Sequence, residues 1–178
     1  GAEVTLVSVM GKAAGFISLF NGQDLAGWKG LVANPKTRSE MSVEALATAQ
    51  KEADRNMREH WKVVDDVLQF DGMGDSLCTA KDYGDFELYV DWKIKRGGDS
   101  GIYVRGSPQI QIWDTKFEDY FRLGADQGSG SLWNNQNHAR FPLVHADKPV
   151  GEWNTFYIRM IGELLTVDLN GLRVVDDV

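Results

Sequence analysis

The chain has only one cysteine, Cys78, and only four prolines among its 178 residues. A single thiol excludes an internal disulfide and a cysteine-rich zinc site, but a protein outside the cytoplasm can do without either, so cysteine usage leaves the compartment open. No stretch comes near the roughly 18 consecutive apolar residues that a membrane-spanning helix needs, and the apolar run from Val4 to Met10 is broken by polar residues. Positive charge is scarce as well: 19 Lys and Arg face 26 Asp and Glu, a formal net charge of -7. Such a chain repels a phosphate backbone or an anionic bilayer, which argues against nucleic acid as a partner. Gly1 reads as a remnant of tag cleavage, so an export signal could have stood before it.

What is present is the material of one globular core. With 43% hydrophobic and 25% charged residues, the chain is expected to form an N-terminal segment, 1–15, followed by a single domain over 16–178. The stretch from Gly15 to Lys29 reads as a strand running into a tight turn at Asn21, Gly22 and Asp24. From Ser42 to Trp61 the apolar period becomes helical, through Leu46, Ala49, Ala53, Met57 and His60, with Ser42 as N-cap and Glu44 in the first turn. After Trp61 the pattern is almost entirely β. The expected strands are Trp61–Val64, Val67–Phe70, Ser76–Thr79, Phe86–Ile94, Gly101–Arg105, Ile110–Trp113, Trp153–Ile161, Leu164–Leu169 and Arg173–Val175. Turns between them, with Asn170-Gly171 as a hairpin signature, indicate an all-β antiparallel sandwich with one inserted α-helix. The region from Lys116 to Gly151 is rich in Asn, Gln, Gly and His and weak in periodicity, the pattern of a long functional loop.

Strand alternation separates two faces. Phe86, Leu88, Val90, Trp92 and Ile94 share one with Ile102, Val104, Ile110 and Ile112, and this face is the expected core; Trp28 and Trp153 are assigned there too. The opposite face carries Glu87, Tyr89, Asp91 and Lys93, then Tyr103 and Arg105, then Gln109, Gln111 and Trp113. Aromatic rings stack on the axial hydrogens of sugars, while amides, carboxylates and guanidinium groups pair with hydroxyls. Trp133, Asn134 and their polar neighbours in the loop add the same chemistry. The competing reading is a solvated face whose cross-strand pairs only stabilise the sheet.

Five segments in order carry a resemblance: SLFNGQDLAGW, YGDFELYVDWKI, GGDSGIYVRG followed by QIQIWD, GSGSLWNN, and GEWNTFYIRMIGELLTVDLNG. Together they resemble the 3-keto-disaccharide hydrolase domain family from about Phe16 to the end. The resemblance implies a concanavalin-like or laminin-G-like jelly-roll sandwich, export to the periplasm or surface of a bacterium, and cleavage of glycosides already oxidised to a ketone at carbon 3. Asp99 stands where Asn is commoner in the family's NSG-type motif, and Gln109 to Ile112 stands for its EVQI-like strand. Relatives continue past the VVDDV segment into a stretch with a Gln, a His-Gly pair and an FRN-like strand. The resemblance therefore implies a closing strand and a candidate catalytic His beyond Val178. Without that strand a sheet edge is left open, a route to a homo-oligomer.

For this chemistry the site needs a base for the acidified hydrogen on carbon 2 and a donor over the developing enolate oxygen. Arg105 is the candidate stabiliser and Asp114 or Asp91 the candidate base. Gln111 and Asn134 are orienting groups, and Tyr103, Gln109, Trp113, Trp133 and Glu87 would contact the sugar. Structural roles compete: Arg105 could pair with Asp91 or Glu87, and Asp114 could cap the turn after its strand. Glu87 and Asp91 lie about 13 Å apart by strand rise, too far for a conventional glycosidase acid and nucleophile. His138 and His145 match no metal spacing, and His60 belongs to the helix. Asp114 with loop carboxylates could hold a divalent cation, and no cofactor motif is evident. The alternatives to an enzyme are a non-catalytic carbohydrate-binding module or a protein interaction domain.

Overall fold

The computed structural model describes residues 4–7, 15–133, 135–136 and 140–178. Its elements run β1 (Val4–Val7), β2 (Trp28–Gly30), α1 (Pro35–Glu40), α2 (Val43–His60), β3 (Trp61–Val64), β4 (Val67–Phe70), β5 (Leu77–Thr79), β6 (Phe86–Ile94), β7 (Asp99–Tyr103) and β8 (Gln109–Trp113). Two short 3-10 turns, Glu118–Leu123 and Ala125–Gln127, precede β9 (Asn154–Ile161), β10 (Leu164–Leu169) and β11 (Leu172–Val175). Among the described residues one sheet takes the order β11-β10-β9-β6-β1-β4-β3, while β2-β5 and β7-β8 form two-stranded sheets, and all these pairings are antiparallel. The chain is an all-β antiparallel sandwich.

Alternation builds the core. Trp92 and Ile94 of β6, Phe156, Ile158 and Met160 of β9, and Leu165, Val167 and Leu169 of β10 are buried on one face of the large sheet. They pack against Val104, Ile110, Ile112 and Leu132 of the second layer. Fully burying each such side chain is worth about 1.5–3 kcal/mol, which sets the side on which β7 and β8 must show their isoleucines. The second layer is wider than its hairpin. Gln111 N-H donates to Ser131 O (2.9 Å), Gly130 N-H to Gln111 O (2.8 Å) and Trp133 N-H to Gln109 O (3.1 Å), so residues 130–133 line the free edge of β8.

A smaller core of Phe20, Met57, Trp61 and Leu68 seats α2 at the other end of the large sheet. Ser42 caps the helix by accepting from Ala45 N-H. Close approach is made possible by Gly30, where a Cβ would stand 2.0 Å from Ala53 O. Asp54 and Gln50 then bond the Gly30 N-H and C=O, each at 2.9 Å.

Several expectations are revised. Phe16–Phe20 is irregular rather than a strand, and the strand starts at Trp28, after the Asn21–Asp24 turn that Asn21 Oδ1 holds by accepting from Gln23 and Asp24 N-H. The stretch before residue 16 contributes β1, paired between β4 and β6. Helix α1 has no buried residue and so leaves no apolar period in the sequence; Asn34 and Pro35 start it. Trp153 is half-buried under Lys93 Nζ, 4.7 Å from its ring, rather than in the core.

Candidate functional site

The outer face of β7-β8, turned away from Ile102, Ile110 and Ile112, gathers the expected amides and rings. Cross-strand register sets Asp99 opposite Trp113, Gly101 opposite Gln111 and Tyr103 opposite Gln109. Trp133 joins them through its backbone bond to Gln109. Gly101 makes room: a Cβ there would lie 2.4 Å from Gln109 Nε2, so the missing side chain lets the Gln109 amide lie across β7. Tyr103 is 48% exposed at the rim, whereas Gln111 and Trp113 are 2% and 3% exposed and form the floor.

The floor is a chain of touching rings. Trp113 meets Trp133 edge-to-face at 5.6 Å and Tyr120 at 5.7 Å, and Tyr120 meets Phe117 at 5.0 Å. The Arg140 guanidinium lies 4.4 Å over the Trp133 ring and 5.3 Å from that of Phe141. Two donors of this face are buried without a partner among the described residues, Trp113 Nε1 and Arg140 Nε. Burying an unpaired donor costs about 1–3 kcal/mol; Trp28 Nε1 and Trp92 Nε1 are unpaired elsewhere among the described residues, so what distinguishes this face is that two such donors lie along one aromatic wall.

Asp99 is the carboxylate of this face. Gln111 Nε2 donates to its Oδ1 at 2.7 Å, and Gln111 also reaches Ile112 O at 3.3 Å. Although Asp99 as a residue is exposed, loss of solvation against the hairpin pushes its carboxyl above the ordinary carboxylate value, outweighing the Gln111 bond that pulls it down. Asp99 is absent from the catalytic candidates of the sequence because the expected strand begins at Gly101. Alternation carried back from Tyr103 through Gly101 is the signal that finds it.

The remaining expected residues lie elsewhere. Asp114 is 2% exposed, and both its oxygens serve the turn: Oδ2 accepts from Gly97 N-H (2.8 Å) and Oδ1 from Lys116 N-H (3.0 Å). Asp91 and Glu87 sit on the outer face of the large sheet, where Thr155 Oγ1 donates to Asp91 Oδ1 (2.5 Å) and Tyr157 Oη to Glu87 Oε2 (2.9 Å). Arg105 does not share the face of Tyr103, because β7 ends at Tyr103 and Arg105 enters the turn with φ of 49°. Its guanidinium donates to Gly162 O and stands 3.9 Å from Asp85 Oδ1, not beside Asp91 or Glu87. Asn134 and His138 lie outside the described residues.

Beneath the face lies a second buried carboxylate. Asp147 Oδ2 accepts from Ser129 N-H (2.9 Å), Ser129 Oγ in turn accepts from Trp113 N-H (3.0 Å), and Asp147 Oδ1 has no partner. Desolvation pushes the Asp147 carboxyl up despite Ser129 and the nearby His145, whose Nε2 is 3.9 Å away. No group of three His, Cys, Asp or Glu among the described residues gathers to hold a metal ion. Depressions of about 410 and 300 Å³ occur near β2 and β5, lined by residues such as Ile17, Thr79 and Tyr83 or Leu31 and Ser76. One has a single ring, Tyr83, and the other a single carboxylate, Asp75, whereas the β7-β8 face combines several rings with amides and a carboxylate and is the stronger candidate. No described helix is long and apolar enough to cross a membrane.

The chain has the architecture of an all-β antiparallel sandwich, and one of its faces carries amides, rings and a desolvated carboxyl. Its family follows from residues 15–178: the chain belongs to the 3-keto-alpha-glucoside-1,2-lyase-like domain family, the assignment that its five segments resembled. A curated 3-keto-disaccharide hydrolase of Bacteroides thetaiotaomicron is 24% identical over 186 residues, which cover 86% of this chain and 55% of the relative. The chain thus spans about half the length of that curated relative. Two crystal structures from Parabacteroides distasonis, each described as a "putative glycosyl hydrolase", share the fold. One has 23% identity and a TM-score of 0.61, covering 88% of this chain and 68% of the other. The second has 25% identity and a TM-score of 0.57, covering 84% and 71%.

Proposed function

We propose that this domain cleaves glycosides whose sugar carries a ketone at carbon 3, and that it does so on the outer face of β7-β8. The observation that carries the reading is the Asp99–Gln111 pair set beside Trp113 and Trp133 on one surface. The name of the Bacteroides relative supports the substrate class. A ketone at carbon 3 acidifies the hydrogen on carbon 2, so elimination can replace ordinary glycosidase chemistry. Asp99 fits the base: Gln111 holds one oxygen, the other has no partner among the described residues, and its raised pKa strengthens it as a proton acceptor. The proton passes from carbon 2 to the carboxylate, the electron pair forms the enolate, and the enolate collapses to expel the group on carbon 1. That leaving oxygen recovers the proton, and water adding across the new double bond completes a net hydrolysis. Gln109, Tyr103 and Trp133 would hold the sugar ring, while Trp113, buried beneath them rather than open to a ligand as expected, would support Trp133 from behind. In this reading the protein works in the periplasm or at the surface of a bacterium, where oxidised oligosaccharides are met.

Aglycone release tests the reading. The protein should free the aglycone from a 3-keto-glycoside and leave the unoxidised glycoside intact, and no release from a panel of such ketones would defeat it. The exposed Tyr103 ring at the rim favours one second reading, a non-catalytic carbohydrate-binding module; saturable binding of unoxidised glycans without turnover of any ketone would establish that instead.

A further inference from the structure

We propose that Arg140 is a catalytic residue of this site, its guanidinium holding the oxygen on carbon 3 and taking up the negative charge that gathers there as the proton leaves carbon 2. The inference rests on the proposed 3-keto-glycoside reading and supplies the cation that Arg105, tied to Gly162 O at the sheet edge, does not bring to the face.

Three observations carry it. The Arg140 backbone is fixed beside the site, since Leu132 N-H donates to Arg140 O at 2.7 Å and the residue after Leu132, Trp133, bonds Gln109. Its guanidinium carbon lies 4.4 Å from the centroid of Trp133, whose ring contacts Trp113 at 5.6 Å. Finally, the charge is unspent: Nε is buried with no partner, and no carboxylate pairs with Arg140 among the described residues. By contrast, Arg173 is committed to Asp168 and Asp176, and Arg38 to the carbonyls of Val32 and Ala33. A planar, permanently charged fork on an aromatic ring is well suited to an enolate, because it need not reorganise as charge develops. The step is balanced: the C2–H bond breaks, its proton goes to the Asp99 carboxylate, and its electron pair becomes the C2–C3 double bond while the carbonyl pair moves onto the oxygen that Arg140 holds.

The test compares wild type, Arg140→Lys and Arg140→Ala on a 3-keto-glycoside, with thermal melting of each. Removing one such donor lowers kcat by about 10²- to 10³-fold, so Arg140→Ala should fall by that factor with KM nearly unchanged and an unaltered melting temperature. Arg140→Lys should recover part of the rate, and millimolar guanidinium added to Arg140→Ala should recover part as well. Exchange of the carbon 2 hydrogen with heavy water, followed by NMR, should slow in parallel. The inference is overturned if Arg140→Ala turns over within about threefold of wild type, or if its loss comes with a lowered melting temperature and no recovery by lysine or guanidinium, since then the stack on Trp133 is only structural. A wild type inactive on every ketone would sink the underlying reading and this inference with it, whereas an active wild type with an active Arg140→Ala sinks this inference alone.

Discussion

The sandwich has two outer faces built from the same kinds of residue, and they end in opposite states. On the large sheet, Glu87, Tyr89, Asp91, Thr155 and Tyr157 satisfy one another: Tyr157 bonds Glu87, Thr155 bonds Asp91, and the two tyrosine rings meet at 4.8 Å with Phe16 against Tyr89 at 5.2 Å. On the β7-β8 layer, Trp113 Nε1 and Arg140 Nε are buried without partners and the Asp99 carboxyl is lifted by desolvation. Composition alone does not separate a ladder that stabilises a sheet from a face that awaits a ligand. Between these two outer faces the unpaired donors make the difference, because leaving them unmet is costly unless a bound molecule meets them, even though Trp92 Nε1 in the core and Trp28 Nε1 are unpaired too among the described residues.

The sharpest way to break this comparison is Asp99→Asn. An amide carbonyl can still accept from Gln111, so the substitution removes the charge and keeps the bond. Loss of a general base costs about 10²- to 10⁴-fold in rate, and steady-state turnover of a 3-keto-glycoside should fall accordingly. Wild-type turnover should also rise with pH through the raised pKa of Asp99, because the base acts only when ionised, and the variant should lack that acid limb. Full activity of Asp99→Asn would move the base to another residue. Next in size, Trp133→Ala removes the ring that bridges Trp113 and Arg140. A stacked aromatic is worth about 0.5–1.5 kcal/mol beyond its buried area, so sugar affinity measured by calorimetry should weaken by roughly an order of magnitude. An unchanged affinity would show that the wall is packing rather than platform.

Much of the architecture was legible in the sequence, for a physical reason. Phe86–Ile94 and Leu164–Leu169 appear with the expected bounds because each must bury one side, and burial enforces a strict period of two. Helix α2 was equally plain, with Ser42 as its cap. Part of the proposed face was legible. Tyr103, Gln109, Gln111, Trp113 and Trp133 do share a region, since the alternation of β8 follows from burying Ile110 and Ile112. Arg105 lies off that face because it enters the turn two residues beyond the strand with a positive φ, which leaves no trace in composition. Asp114 failed because a buried turn carboxylate and a catalytic one look alike until their hydrogen bonds are seen. Nothing local could have found Arg140, which reaches Trp133 only through backbone pairing across an irregular loop.

A smaller effect probes what lies under the open face. Asp147 is 3% exposed in its side chain and has one oxygen without a partner. Burial holds its folded pKa above the ordinary carboxylate value, so in the interval between the two values the folded state holds more protons than the unfolded one. Stability from this group is therefore complete below the unfolded pKa and is lost as pH rises through the folded one. Asp147→Asn keeps an acceptor for Ser129 N-H and abolishes the titration. The difference in melting temperature between variant and wild type should grow in the variant's favour as pH rises across that interval, at a slope of at most about 1.4 kcal/mol per pH unit. A difference independent of pH would mean that Asp147 is not strained by its burial.

The smallest effect comes from the satisfied face, and it is the control that gives the others meaning. Tyr157→Phe deletes the bond to Glu87 Oε2 while leaving the ring against Tyr89. A net hydrogen bond is worth about 0.5–1.5 kcal/mol. Because Glu87 is exposed and water can replace the lost donor, the low end applies, and a shift of about 2 °C in melting temperature is expected for a chain of this size. Turnover should stay within about twofold of wild type, since Tyr157 faces away from Asp99 across the full thickness of the core. A loss comparable to that of Asp99→Asn, with the fold intact by melting, would place part of the sugar on the large sheet. Glu87 and Asp91 would then return as site residues, and unpaired polar atoms would no longer serve to tell the two faces apart.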